Sequence, residues 1–134
     1  MYRGSEAFSG ATREAAEILE QTGHSGTARE IHEALTDISR RPEPDVTGAI
    51  QHVIAAMEGT ARNVSGDANA TFGKLVKRLA LPAPLDTAAE KLWGYASDRA
   101  RHIREGQSVG SDEAELIVSV ACAICTYRVK RAES

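Results

Sequence analysis

Apolar residues recur at helical spacing along nearly the whole chain, most strongly after Asp45. Val46, Ile50, Val53, Ile54, Met57, Ala61 and Val64 fall at offsets 0, 4, 7, 8, 11, 15 and 18, one wide apolar face of a long helix over about 45–64. Before it, Phe8, Ala11, Ala15, Ile18 and Leu19 mark a helix from 5 to about 22. Ala28, Ile31, Ala34, Leu35 and Ile38 mark a second, over about 27–40. Gly23-His24-Ser25-Gly26 separates the two, and Pro42 and Pro44 form the clearest hinge.

Beyond Ser65-Gly66-Asp67, Thr71 can cap a short helix ending near Leu79, before Pro82 and Pro84 break the chain again. A further helix is predicted from about Asp86 to Glu105, followed by a turn over 106–110. Ser111 then stands as an N-cap, with Asp112 and Glu113 opposing the dipole of a last helix over about 112–131. That helix is apolar nearly all round from Leu116 to Cys125, which predicts a place at the centre of the fold. No stretch alternates with a period of two. The expected fold is all-α, a bundle of five or six helices.

Composition agrees with this pattern. The chain has 134 residues, enough for one domain with one core, and 22 alanines against six aromatics favour helix over strand. At 42% hydrophobic and 26% charged it is not a disordered composition, and two cysteines make no disulfide scaffold. The apolar run from Leu116 to Thr126 is about half the ~20 residues needed to cross a bilayer, and no signal peptide is visible at Met1–Ser5. A cytoplasmic, non-membrane protein is expected. A net charge of −3 excludes a general polyanion-binding coat and leaves room for a local basic patch.

Such a patch exists. Arg99, Arg101, His102 and Arg104 fall within six positions, and Asp98, His102 and Glu105 share one helical face within about 60°. Tyr95 and Arg99 flank that face on one side, Arg101 on the other. Asp98 stands four residues before His102, where a carboxylate can hold an imidazole. Arginines beside a histidine supply what phosphodiester chemistry needs: cations for the phosphate and a group that exchanges a proton near neutrality. A solvated charged helix end would show the same residues. Glu58 and Arg62 form a second i,i+4 pair at the edge of the 45–64 face, either a structural ion pair or a support for the arginine cluster. Cys122 and Cys125 read as small core residues, because no further ligand spacing or βαβ pattern accompanies them. No metal and no cofactor is expected.

The segments Pro44 to Arg62, Thr71-Phe-Gly-Lys-Leu75, Lys91-Leu-Trp-Gly-Tyr95-Ala-Ser-Asp98 and Arg101-His102-Ile-Arg-Glu-Gly106 resemble bacterial abortive-infection domains of the AbiJ-like kind. These belong to the HEPN superfamily of phage-defence and toxin–antitoxin systems. The resemblance covers about residues 40 to 130. It implies a domain over 41–134, with residues 1–40 a helical segment packing on the bundle or leading into it. It also implies a homodimer that, in active relatives, cleaves RNA without metal through an arginine and a histidine four to six residues apart, contributed by each subunit to a composite site. By motif position, His102 would transfer protons, Arg101 with Arg99 would bind the scissile phosphate, and Glu58, Arg62, Tyr95 and Asp98 would support them. This chain departs from the spacing: its close pairs are Arg29-x-x-His32, Arg99-x-x-His102 and the adjacent Arg101-His102.

Two functions therefore stand side by side. One is a metal-independent endoribonuclease. The other is a non-catalytic HEPN-like module that dimerises or binds a nucleotide, RNA or a protein, such as a cognate antitoxin or effector.

Overall fold

The computed structural model describes residues 6–65, 81–101 and 110–133, with backbone alone at 6–9, 11, 63–65, 99–101, 111 and 132–133. Five helices make up the fold among these residues: α1 (Glu6–Gln21), α2 (Ser25–Ile38), α3 (Val46–Ser65), α4 (Leu85–Arg101) and α5 (Ser111–Glu133). No strand occurs among the described residues, so the expected all-α bundle is what forms. The short helix expected over 71–79 and the turn over 106–109 lie outside the described residues.

Each helix starts or stops for a local reason. Gly23, at φ 85°, ends α1: its N–H donates to the Glu20 carbonyl and the His24 N–H to the Leu19 carbonyl at 2.7 Å, the paired bonds of a Schellman stop. A side chain at that φ would be strained, which explains why glycine stands there. The break is narrower than the glycine tetrad predicts, because Ser25 and Gly26 already belong to α2. The proline hinge is closed by a bond from the Asp45 N–H to the Asp37 carbonyl at 2.8 Å, which returns the chain onto the end of α2. Asp45 then caps α3, its carboxylate accepting the Gly48 N–H at 2.9 Å. At α5 the capping carbonyl comes from Gly110, bonded by the Ala114 N–H, one residue before the expected Ser111.

Helices α1, α2, α3 and α5 form a closed ring: α1 packs on α2, α2 on α3, α3 on α5 and α5 back on α1. The first two helices thus share one core with the rest. Leu19, Ile31, Ile38, Ile50, Val53, Met57, Val118 and Val129 are the large side chains buried within it. Among the described residues, half of the buried apolar side chains are alanines, so the helices approach closely and few large groups carry the packing. Cys122 turns towards Thr12 of α1 and Cys125 towards Thr60 of α3. The C-x-x-C spacing therefore serves two helix contacts on adjacent sides of α5.

Helix α4 stands outside the ring. It rests on α3, with Ala89, Leu92, Trp93 and Ala96 joining the core, and touches α5 only thinly. An apolar groove of about 420 Å³ remains between α4 and α5. Helix α5 touches all four other described helices, as its expected central place requires, but it is not buried all round. Its core face is covered by the ring, but Leu116 (62% exposed), Ala123 and Tyr127 (38% exposed) face outward. An all-round apolar helix is compatible with either arrangement. Only the number of neighbours around it decides.

Among the described residues, no helix is long and apolar enough to cross a membrane.

Candidate functional site

The arginine–histidine cluster grows out of α4. The inner side of this helix is spent on α3, which leaves Lys91, Tyr95 and Asp98, at i, i+4 and i+7, exposed on the outer side. Tyr95 is 41% exposed, an uncommon position for a large ring in so aromatic-poor a chain. Trp93, in contrast, is half-buried and packs against the core. Arg99 and Arg101 lie in the last turn of α4, but their side chains lie outside the described residues, as does His102 entirely. Glu58 and Arg62 are half-buried on α3, the helix on which α4 rests. Arg62, Tyr95 and Asp98 each engage a neighbour through a polar or ring contact.

A second polar cluster, between α2 and α3, had no counterpart in the sequence reading. Glu30 and Asp37 stand seven residues apart on α2, and Asp45 and His52 seven apart at the start of α3. Packing the two helices brings the pairs together. His52 sits between two carboxylates: Nδ1 is 2.7 Å from Glu30 Oε2 and Nε2 is 3.5 Å from Asp37 Oδ2. Only the doubly protonated ring can donate to both sides. Asp37 Oδ1 also lies 3.4 Å from Arg40, which is largely exposed.

The Asp37 carboxyl is buried, and burial, reinforced by the negative charge of Asp45, raises its pKa above the ordinary carboxylate value. Gly48 makes the crowding possible. A Cβ there would stand 2.5 Å from Asp45 Oδ2 and 2.6 Å from Asp37 Oδ2. The signal available in the sequence was this repeated seven-residue spacing of polar groups at the edges of two apolar faces.

Among the described residues, no three His, Cys, Asp or Glu side chains converge as a metal site. The thiols offer no nucleophile either. Burial pushes Cys122 up to about 12 and Cys125 up to about 11, so both stay protonated at neutral pH. A polar hollow at the start of α2, lined by His24, Thr27, Glu30 and Gly59, adjoins the second cluster. His24 is occupied there by a 2.9 Å hydrogen bond between its Nδ1 and the Thr22 hydroxyl.

Comparison with protein-family models, curated proteins and solved structures returns no match for this chain.

Proposed function

We propose that this chain is a HEPN-like helical module of phage-defence or toxin–antitoxin type that cleaves RNA without a metal at the C-terminal end of α4. The observation that supports the reading is the exposed outer face of α4. A helix excluded from the ring exposes Lys91, Tyr95 and Asp98 and runs directly into Arg99, Arg101 and His102. An exposed ring beside a run of cations suits a single-stranded polyanion, with stacking for a base and guanidinium forks for phosphate oxygens.

In this reading His102 takes the proton of a ribose 2′-hydroxyl, and the oxygen attacks the adjacent phosphorus. The 5′-oxygen leaves with the proton that His102 returns, giving a cyclic phosphate and a free 5′-hydroxyl. Arg101 and Arg99 hold the phosphate and offset the charge that builds on it. Asp98, four residues before His102 in the sequence, orients the imidazole, and Glu58 orients a cation of the cluster from α3.

The test is incubation of the purified protein with total RNA and tRNA, with and without a chelator. Cleavage is expected to ignore the chelator and to disappear in His102→Ala, with helicity and thermal midpoint unchanged. Cleavage that persists in His102→Ala rejects the assignment. A second reading, a module that binds RNA without cutting it, is favoured by one observation: no arginine precedes a histidine by four to six residues. RNA retention with no cleavage at high protein concentration would select it.

A further inference from the structure

We infer that the outward face of α5 is a self-association surface, on which a second copy of this chain packs its own α5 antiparallel about a two-fold axis near positions 121 and 122. The inference is independent of any action on RNA.

The face itself is the first observation. Leu116, Val120, Ala123 and Tyr127 follow one another at offsets 0, 4, 7 and 11, opposite the side of α5 that lines the ring. The four form an apolar stripe of about three turns, and Ala123 near its middle allows a partner helix to approach closely. Hollows lie along both sides of the stripe, one towards α4 and one towards α1, so it stands as a ridge between two grooves. Ridge-into-groove packing of helices requires this relief. Leu85, 55% exposed on the far lip of the α4 groove, widens the apolar area available to a partner.

Charge decides what occupies the face and in which direction. Asp112 and Glu113 lie at the start of α5, Lys130 and Arg131 near its end. Asp112 and Lys130 are 18 residues apart, as are Glu113 and Arg131, and 18 residues are five full turns at 3.6 per turn. Each acid therefore stands on the same flank of the stripe as the base that matches it, about 27 Å along the helix. A two-fold axis across the middle exchanges the ends while preserving the flanks. It sets Asp112 of one copy against Lys130 of the other, Glu113 against Arg131, and Leu116 against Tyr127.

A parallel pair would instead place acid on acid and base on base. Within one copy Lys130 lies 3.7 Å from the exposed Glu14, a weak contact that a dimer can exchange.

Light scattering on a sizing column is expected to give a dimer at micromolar concentration in low salt. Ala123→Glu, at an exposed position that leaves the core intact, is expected to give a folded monomer with unchanged helicity. The direction is tested by charge reversal. Asp112→Lys with Glu113→Lys, and separately Lys130→Glu with Arg131→Glu, should each weaken self-association by about tenfold or more at low salt. Mixed one to one, the two variants face each other with opposite charges at both ends, so a heterodimer of near-native affinity is expected. A wild-type monomer throughout overturns the inference. So does a dimer indifferent to Ala123→Glu, which would use another surface, and so does failure of the mixed variants to recover.

Discussion

Replacing Asp37 by asparagine should stabilise this protein at neutral pH, although it removes a residue with two cationic neighbours. The Oδ2 atoms of Asp37 and Asp45 both lie within 2.6 Å of the point where a Gly48 Cβ would stand. They are thus within about 5 Å of one another, where two unit charges at an effective dielectric near 20 repel by about 3 kcal/mol. His52 at 3.5 Å and Arg40 at 3.4 Å offset much of that repulsion, but both contacts exceed good hydrogen-bond length. The desolvation of a buried carboxylate is then left as a net cost. Removing one partner of a buried ion pair ordinarily costs about 3–5 kcal/mol because the other charge is stranded. Neither neighbour is stranded here, since His52 keeps Glu30 at 2.7 Å and Arg40 is 59% exposed. The amide has the same shape, so a gain on the order of 1 kcal/mol at pH 7 is expected.

The pH dependence carries the sign. Because the folded pKa of Asp37 is raised, protonation favours the fold. The stabilisation is complete below the unfolded value and is lost as the pH climbs through the folded one. Urea unfolding of the wild type and Asp37→Asn between pH 3.5 and 8 should therefore show curves that meet in acid and separate towards neutrality, with the variant above. Asp45→Asn, which retains a capping side chain, should give a smaller gain that vanishes in the double variant. An Asp37→Asn protein less stable at pH 7 than at pH 4, relative to wild type, would refute the reasoning and make the carboxylate a net stabiliser.

Leu19→Ala, at a fully buried position of α1, should cost about 3 kcal/mol in urea unfolding, and a loss below ~1 kcal/mol would show that α1 does not share the ring's core. Cys122 and Cys125 should react with an aromatic disulfide reagent at pH 8 only at the rate of opening, with labelling accelerated by urea; a fast native burst would contradict their burial and raised pKa values.

The period of the apolar residues determined much of this fold locally. A seven-point face over 46–64, proline and glycine breaks, and an alanine-rich composition specify helices without a partner in view, because helical bonds close within a few residues. The arginine–histidine cluster was legible for the same reason: its members lie within one short segment. The Glu30–His52–Asp37 contacts were not, since they join residues up to 22 apart and exist only when α2 and α3 pack face to face. The outward stripe of α5 was hidden differently. Leu116, Val120, Ala123 and Tyr127 have the same apolar character as the residues that fill the core, and local pattern cannot rank two apolar faces of one helix. Tertiary structure ranked them by supplying three ring neighbours for one face and only a thin contact with α4 at the edge of the other. Burial depends on how many elements surround a residue, and that number is a property of the assembled bundle.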